Sequence, residues 1–400
     1  MRRSLLPFLS LLLHAYVAVR LLPPLASWPA AAAPSAAGPA VAALLLAALA
    51  LSTWYMPMGL GPGSRRIAAS GRRAWIGWLG MGLFSSLLVL TGLRDLVLVS
   101  ARVTEMLQPG AVPWEALSRW SALAVALLAA ADTARGFANA RRTARVVRVD
   151  VPIRSLPAAL EGFRIAQLSD IHVGPTIRGG YLARIVGAVN RLDADMVAIT
   201  GDLVDGSVPE LATHVAPLAG LSSRHGSFFV TGNHEYYAGA HAWIAELRRL
   251  GVRVLLDSHV VLRHGPDGDA EGDGGRAARL VVAGVADFGA AHFDPAHRSD
   301  PHRALEGAPA DAGLRLLLAH QPRSAPAAAD AGFDLQLSGH THGGQFLPWN
   351  LFVPLQQPFV AGLHRLRGMW VYVSRGTGYW GPPKRFGAPS EITLLRLVRG

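Results

Sequence analysis

The sequence predicts two unlike parts, an N-terminal α-helical transmembrane region followed by an α/β domain. Long uncharged apolar runs are confined to residues 1–134, whereas from about residue 147 short apolar runs alternate with helical stretches. Such alternation is typical of an α/β domain built around a largely buried sheet. We therefore predict a transmembrane region with a basic linker over residues 1–146 and a globular domain over residues 147–400.

The composition agrees with a membrane protein. Of the 400 residues, 51% are hydrophobic and only 16% are charged, and the mean hydropathy is +0.28. These values are too apolar for an ordinary soluble protein of this length. The chain has no cysteine, which excludes disulfides, thiolate nucleophiles, zinc fingers and iron–sulfur clusters. The net charge of +11 is almost entirely arginine, because Lys384 is the single lysine.

Four apolar segments approach the ~20 residues that a membrane-spanning helix needs. The two middle segments contain no charge, whereas His14 and Arg20 interrupt the first and Arg119 and Asp132 bracket the last. The last segment is the weakest. The predicted spans are roughly residues 4–22, 39–59, 74–93 and 116–134.

Arginines predict the orientation of these spans. They precede the first segment, fill the second connection and follow the fourth segment, which is typical of cytoplasmic ends. We therefore predict a multi-pass protein of the cell (inner) membrane with a cytoplasmic C-terminal domain, provided that the fourth segment spans. A cleaved signal peptide is the alternative for the first segment, although no small-x-small cleavage site follows it.

Polar residues follow the apolar strands of the second part in order. They form the set Asp170-x-His172, Gly201-Asp202-x-x-Asp205, Gly232-Asn233-His234-Glu235, His320 and Gly339-His340-x-His342. Each piece alone is typical of a helix cap or a turn. Together they supply the carboxylate, amide and imidazole ligands that hard and borderline divalent metals prefer. Two such metals ~3.5–4 Å apart can stabilise a phosphoryl displacement, so the set predicts a two-metal site.

This set resembles the calcineurin-like metallophosphoesterases, whose signatures D-x-H, G-D-x-x-D, G-N-H-[DE], H and G-H-x-H occur here in order. The resemblance implies two β-sheets flanked by helices in a four-layer αββα sandwich. It also implies two divalent metal ions, with manganese as the first expectation and iron or zinc as alternatives. The implied reaction is hydrolysis of a phosphodiester or pyrophosphate bond through in-line attack by a metal-bridged hydroxide.

The resemblance also implies a role for each matching residue. Asp202 would bridge the two metals. His234 would stabilise charge on the substrate phosphate or protonate the leaving oxygen, and Asp205 would orient His234. The implied metal ligands are Asp170, His172, Asp202, Asn233, His320, His340 and His342.

Two segments bear on the substrate. The GHTHGGQ motif, the closing segment 373–395 and the apolar front resemble the bacterial membrane-associated branch, which includes phosphodiesterases and UDP-diacylglucosamine pyrophosphohydrolases. A phosphorylated small molecule or a lipid-linked substrate is therefore expected. The apolar loop 346–363 is predicted either to contact a membrane or acyl chain or to pack on the domain's own sheet. Arg375, Lys384 and Arg385 are predicted to contact a diphosphate or to lie at the surface.

Other interpretations stay open at this point. One is a phosphomonoesterase or a nuclease on the same fold, although no aromatic–basic stripe indicates nucleic acid. Another is a catalytically silent membrane scaffold, yet every motif position is filled. The Gly- and Asp-rich stretches 264–275 and 294–313 are predicted to be surface loops. We interpret His292, His297 and His302 as solvated residues rather than metal ligands.

Overall fold

The computed structural model describes residues 5–27, 37–60, 71–265 and 277–400. Most of the Gly- and Asp-rich stretch 264–275, and the arginines at 2, 3, 65 and 66 that support the orientation, lie outside the described residues. The chain divides into two compact units. One comprises residues 1–138 with 381–384, and the other comprises residues 139–380 with 385–400. The predicted boundary at 146/147 remains a prediction.

Long helices make up the first unit. In the described residues, four helices are long and apolar enough to cross a membrane. All four are longer than the segments predicted to span. The last two exceed the predicted segments most, because these helices continue past the charges that end the apolar runs. The helices are α1 (Leu6–Ala26), α2 (Ala37–Leu60), α3 (Gly71–Leu107) and α4 (Trp114–Arg141).

Paired charges allow α3 to continue beyond its apolar run. Asp95 accepts hydrogen bonds from Arg20 Nη2 at 2.7 Å and from the Tyr16 hydroxyl at 2.8 Å. The neighbouring Arg94 is buried, and its Nε donates to Ser121 Oγ at 2.9 Å. Charged groups within apolar helices are tolerated when they pair with one another or with backbone carbonyls. A helix can therefore run through Arg94 and Asp95 without exposing either charge to an apolar environment.

The second unit contains two six-stranded mixed sheets. The strands are β1 (Arg145–Ile153), β2 (Arg164–Leu168), β3 (Met196–Thr200), β4 (Ser227–Val230), β5 (Arg253–Val254), β6 (Ser258–His264), β7 (Ala278–Gly284), β8 (Leu314–Leu318), β9 (Leu335–Ser338), β10 (Gly362–Leu366), β11 (Met369–Val373) and β12 (Glu391–Arg399). Their order is β1-β12-β2-β3-β4-β5 in one sheet and β10-β11-β9-β8-β7-β6 in the other. Strands β2 to β5 are mutually parallel, as are β7, β8, β9 and β11.

Helices cover the outer faces of both sheets. They are α5 (Gly179–Asn190), α6 (Val208–Val215), α7 (Asn233–Ala238), α8 (Ala240–Arg249), α9 (Pro301–Ala304) and α10 (Ala325–Ala331). On β3, Val197 packs with the core that includes α5 and α8, whereas Ala198 packs in the core that joins the two sheets. Residues of α10 form a third core with the opposite face of the second sheet. The predicted four-layer αββα sandwich is confirmed.

The apolar runs predict six strands, and these are confirmed as β2, β3, β4, β7, β8 and β9. The runs lie at residues 163–170, 195–202, 226–235, 279–287, 314–322 and 333–342. Strand β1 was not predicted: it begins in the predicted basic linker and continues into the predicted domain, where no apolar run preceded by a turn marked it. It lies at an edge of the first sheet and alternates between exposed and half-buried residues over most of its length. Its arginines can therefore reach solvent while the backbone pairs with β12.

Candidate metal centre

The predicted site residues lie just beyond the carboxyl ends of five strands. Strands β2, β3 and β4 are parallel neighbours in one sheet, and β8 and β9 are parallel neighbours in the other. Because the two sheets stack through a common core, the ends of these strands meet at one edge of the sandwich. The residues at these ends are Asp170 and His172 after β2, Asp202 after β3, Asn233 after β4, His320 after β8, and His340 and His342 after β9.

One cluster consists of Asp170, His172 and His342, whose donor atoms all lie within 4.8 Å of one another. The Nε2 atoms of His172 and His342 are 3.1 Å apart, and His342 Nε2 is 3.4 Å from Asp170 Oδ1. The other ring nitrogen of His172, Nδ1, lies 2.8 Å from Asp205 Oδ1. This contact turns Nε2 of His172 toward the cluster, as is usual for a metal-binding histidine.

The second cluster consists of Asp202, His320 and His340. Nε2 of His320 lies 3.2 Å from Asp202 Oδ2 and 3.2 Å from His340 Nδ1. Nδ1 of His320 lies 2.7 Å from the carbonyl oxygen of Thr200, which makes it the protonated nitrogen and leaves Nε2 as the free donor. The sequence resemblance assigns these two histidines to one metal, and the structure brings them together.

Asp202 lies between the two clusters. Its Oδ2 atom is 3.2 Å from His320 Nε2 in the second cluster and 3.9 Å from His172 Nε2 in the first. Its Oδ1 atom accepts a hydrogen bond from the backbone N–H of His234 at 2.9 Å. One carboxylate oxygen therefore faces both groups of donors, which is the placement that a bridging ligand requires.

Asn233 supplies an independent test of whether a metal fits. Its Oδ1 atom is buried and has no hydrogen-bond partner in the part of the chain that the structure describes. A buried acceptor without a partner costs roughly 1–3 kcal/mol. A divalent ion would satisfy this oxygen, and the set of carboxylate, imidazole and amide donors suits such ions. The residues present therefore fit a pair of divalent metal ions.

Backbone strain is concentrated in the same residues. Among the described residues, ten non-glycine residues have positive φ, and five of them are predicted metal ligands. Such conformations cost on the order of 1–3 kcal/mol each and persist where surrounding contacts impose them, often at functional sites. The five are Asp170 (52°), His172 (55°), Asp202 (50°), His340 (68°) and His342 (52°).

His234 lies beside the clusters, held by a carboxylate. Its Nδ1 is 2.7 Å from Asp205 Oδ1, the oxygen that also contacts His172. Burial lowers the pKa of His234, but the carboxylates of Asp202 and Asp205 more than offset this effect and raise that pKa to about 9. With Nδ1 directed at Asp205, Nε2 is the nitrogen that can carry a proton toward a substrate. It lies 3.9 Å from Asp202 Oδ2.

Two further residues support the site, and a sequence motif indicated only the first of them. Glu235, the last residue of the G-N-H-E motif, is buried and accepts hydrogen bonds from the backbone N–H groups of Asp202 at 3.0 Å, Leu203 at 2.8 Å and Gly232 at 2.6 Å. It thereby joins two motif turns. Burial raises the pKa of Glu235 to about 8. The other residue is Arg385, for which the sequence suggested a diphosphate contact or a surface position. Its contact with His342, 43 residues away in the chain, had no local signal.

The structure corrects the interpretation of the closing basic residues. Lys384 and Arg385 are each only 1% exposed, so neither lies at the surface. Arg385 Nη2 lies 2.9 Å from His342 Nδ1, and its Nη1 donates to the backbone carbonyl of His342 at 2.9 Å. Arg385 therefore positions a predicted metal ligand. Lys384 forms an ion pair with Asp132 within the first unit, and Arg375 pairs with the buried Glu391.

Because Gly339 has no side chain, the turn of the G-H-x-H motif can approach the turn of the D-x-H motif. A Cβ at this position would overlap Ser169 Oγ and Asp170 Oδ2. We expect Gly339→Ala to lower the free energy of unfolding by about 1–3 kcal/mol and to reduce metal binding, because Asp170 must move. Thermal unfolding and metal analysis of the purified protein test this.

The matched control is Gly180→Ala in α5, where a Cβ would meet nothing within 4 Å. That variant should be as stable as the wild type or slightly more stable, since alanine is the better helix former. An unchanged unfolding temperature and metal content in Gly339→Ala would contradict the close approach.

Comparison with known proteins agrees with this geometry. The family model for calcineurin-like phosphoesterases matches residues 163–344, a range that contains every predicted site residue. An uncharacterized metallophosphoesterase of Aquifex aeolicus is 31% identical over 255 residues, which cover 63% of this chain and 91% of that protein. The chain belongs to the calcineurin-like metallophosphoesterases. Members of this family are phosphoester hydrolases that use a dinuclear divalent metal centre.

Another relative of this metallophosphoesterase is named as a transmembrane protein. A "transmembrane protein with metallophosphoesterase domain" of Danio rerio is 40% identical over 267 residues, or 66% of this chain and 59% of that protein. An uncharacterized metallophosphoesterase of Campylobacter jejuni is 35% identical over 261 residues, or 65% of this chain and 64% of that protein. The aligned part of the chain thus spans about three fifths of the length of these relatives.

Proposed function

We propose that this protein is a membrane-anchored phosphoesterase that hydrolyses a phosphodiester or pyrophosphate bond at a dinuclear centre. The observation that carries the proposal is the pair of adjoining donor clusters with Asp202 Oδ2 facing both. In this proposal Asp170, His172 and His342 hold one ion. Asn233, His320 and His340 hold the other, and Asp202 bridges them. Manganese is the first choice of metal, with iron or zinc as alternatives.

Two divalent ions, when bound, supply the Lewis acidity that activates water and stabilises the attacking and leaving oxygens of a phosphoryl transfer. The protein's own residues orient the donor atoms that would hold these ions. The carboxylate of Asp205 and the carbonyl oxygen of Thr200 orient His172 and His320 through their Nδ1 atoms. The Asp170 carboxylate is held by the backbone N–H of His340 at 2.9 Å. These contacts fix the donor atoms before any ion arrives, which lowers the cost of assembling the site.

His234 is the proposed proton donor to the leaving oxygen. Asp205 accepts from Nδ1, so a proton on Nε2 is available to the substrate. The rings of Tyr237 and Trp380 lie 5.2 and 5.9 Å from that of His234, and both side chains are partly exposed. They form aromatic walls next to the position that we assign to the leaving group.

Three observations support the proposed membrane anchor. The first unit has helices long enough to cross a bilayer, relatives are named as transmembrane proteins, and arginines cluster where the positive-inside rule expects cytoplasmic ends. We propose a multi-pass protein of the inner membrane whose catalytic domain faces the cytoplasm. The fourth helix, Trp114–Arg141, is 28 residues long and apolar enough to cross a membrane, which supports the proposal that it spans.

The apolar loop 346–363 favours a lipid-linked substrate. Leu351 and Leu355 are 70% and 80% exposed, and Leu347, Trp349 and Phe352 are 47%, 40% and 52% exposed. Phe346 of the same loop is buried and Phe359 packs against the core on the second sheet, so one part of the loop packs on the domain and another part is exposed. An exposed apolar patch beside a catalytic site is typical of a surface that contacts lipid. We propose that an acyl chain of the substrate, such as a nucleotide-diphosphate lipid, contacts this patch.

Replacing both exposed leucines tests the lipid contact. In the Leu351→Ser/Leu355→Ser double variant, we expect kcat/KM for a nucleotide-diphosphate lipid in mixed micelles to fall about tenfold or more, because partial burial of two leucines is worth at least ~1.4 kcal/mol. Hydrolysis of bis-p-nitrophenyl phosphate should change less than about twofold. The control Val261→Ser, at an exposed position on β6, should leave both activities unchanged. Equal losses on both substrates would contradict a lipid-specific contact.

The central assay compares substrate classes. We expect the full-length protein in detergent, loaded with Mn²⁺, to hydrolyse bis-p-nitrophenyl phosphate faster than p-nitrophenyl phosphate. Chelation should remove this activity and added Mn²⁺ should restore it, while Asp170→Asn should stay inactive under both conditions. Faster turnover of the monoester would favour a phosphomonoesterase, and efficient cleavage of single-stranded DNA would favour a nuclease. No turnover of any substrate with any metal would favour a silent scaffold.

A further inference from the structure

A third group of metal-binding side chains lies outside the two clusters already described. It consists of His241 on α8, and Asp294 and His297, which flank and end the short 3₁₀ helix Pro295–His297. One donor atom from each of the three lies within 4.8 Å of the others. The sequence analysis interpreted His297 as solvated rather than as a metal ligand, but its side chain is only 14% exposed and faces a carboxylate. Its partner is Asp294, three residues earlier.

The distances within this group suit one small cation. His241 Nε2 lies 2.9 Å from Asp294 Oδ2, and His297 Nε2 lies 3.9 Å from the same oxygen. Ligands at ~2.0–2.1 Å from a tetrahedral zinc ion are roughly 3.3 Å apart. The two observed distances lie on either side of this value, so small side-chain movements are enough to coordinate an ion.

Neighbouring groups fix the orientation of the two less exposed ligands. Asp294 Oδ1 accepts the backbone N–H of Ala296 at 2.9 Å, which leaves Oδ2 to face the histidines. His297 Nδ1 lies 2.9 Å from the hydroxyl of Tyr236, which leaves Nε2 as the donor for an ion. Hydrogen bonds of this kind orient the ligands in known metal sites.

The chemistry of the group selects the kind of metal. Two imidazoles and one carboxylate suit zinc and similar transition-metal ions, whereas magnesium and calcium prefer oxygen ligands throughout. The His241 side chain is 75% exposed, so an ion and its water ligand can reach the group from solvent. We propose that His241, Asp294 and His297 form a third, mononuclear metal site that binds Zn²⁺.

The proposed ion would connect two segments that reach His234. Phe293, next to Asp294, packs its ring 5.5 Å from that of Tyr237, and the Tyr237 ring lies 5.2 Å from that of His234. An ion at the third site would fasten α8 to the segment that carries Phe293. It would thereby hold in place the aromatic wall beside His234, which is a structural role that does not depend on the reaction catalysed.

Metal counting tests this proposal. The full-length protein is stripped with a chelator, dialysed against Zn²⁺ alone and assayed for bound zinc per chain. We expect His241→Ala and Asp294→Asn each to bind one zinc fewer than the wild type, whereas the nearby control His292→Ala should bind as many as the wild type. His241→Ala is the primary variant, because an exposed side chain can be removed without disturbing the fold.

A second background separates this site from the dinuclear centre. The same comparison is made in the Asp202→Asn protein, where the loss of one zinc on adding His241→Ala should persist. Zinc should also raise the thermal unfolding temperature of the Asp202→Asn protein, and this shift should disappear with His241→Ala. If His241→Ala binds as much zinc as its parent in both backgrounds, the three residues form only a surface ion pair and the proposal is wrong.

Discussion

Replacing Asp202 with asparagine is expected to lower kcat/KM for bis-p-nitrophenyl phosphate by a factor on the order of 10³. Asp202 Oδ2 faces both donor clusters, and Oδ1 holds the backbone N–H of His234. Loss of a bridging carboxylate would weaken metal binding at both positions at once. Metals supply several kcal/mol of transition-state stabilisation, and about 4 kcal/mol corresponds to three decades of rate.

The measurement pairs steady-state kinetics with metal analysis of the same sample. We expect Asp202→Asn to lose metal from the dinuclear centre as well as activity. The control is Asp193→Asn, since Asp193 is exposed and bonded to Arg164 on the surface; its activity should stay within about twofold of the wild type. Wild-type activity and metal content in Asp202→Asn would contradict the bridging role.

Replacing His234 with glutamine is expected to lower kcat by about 10²–10⁴ while the metal content stays unchanged, which is the range for loss of a general acid. The proton on Nε2, available because Asp205 accepts from Nδ1, would no longer reach the leaving oxygen. The loss should depend on the leaving group. A p-nitrophenolate ion leaves readily without a proton, so an alkyl ester should lose more activity than bis-p-nitrophenyl phosphate.

This dependence distinguishes a proton donor from a metal ligand. If His234→Gln loses bound metal, or loses the same factor on both esters, His234 is not the acid. The control His214→Gln removes a histidine that contacts Arg178 at the surface and should leave both reactions unchanged. Asp205→Asn should resemble His234→Gln in its leaving-group dependence, with a smaller loss of about 10–100-fold, because Asp205 orients His234. Since Asp205 also orients His172, this variant should in addition bind metal more weakly.

Much of the catalytic fold could be predicted because its central strands are covered on both faces. Strands such as β3 consist of consecutive apolar residues followed by a polar one, a pattern that a sequence displays directly. Edge strand β1 carries arginines and a half-exposed pattern, so it is indistinguishable from a linker. The length of α3 was also underestimated, because the pairing of Asp95 with Arg20 depends on a residue in another helix.

The positions of the site residues could be predicted for a related reason. Each follows a strand by a few residues, and the ends of parallel strands meet at one edge. No such rule predicts the position of Arg385 or of the group His241, Asp294 and His297. Arg385 and His342, and likewise His241 and Asp294, come from distant segments that meet only in the folded chain. In the same way, a Gly- and Pro-rich loop gave no sign that Lys384 and Arg385 are buried.

Electron paramagnetic resonance of the Mn²⁺-loaded, full-length protein tests the dinuclear centre most directly. The proposed bridge through Asp202 places two manganese ions at ~3.5–4 Å, so they should interact magnetically. We expect the spectrum of an exchange-coupled Mn²⁺ pair in the wild type, and its loss in Asp202→Asn. A spectrum of isolated Mn²⁺ ions only, in a wild-type sample with two manganese ions bound per chain, would contradict the shared centre.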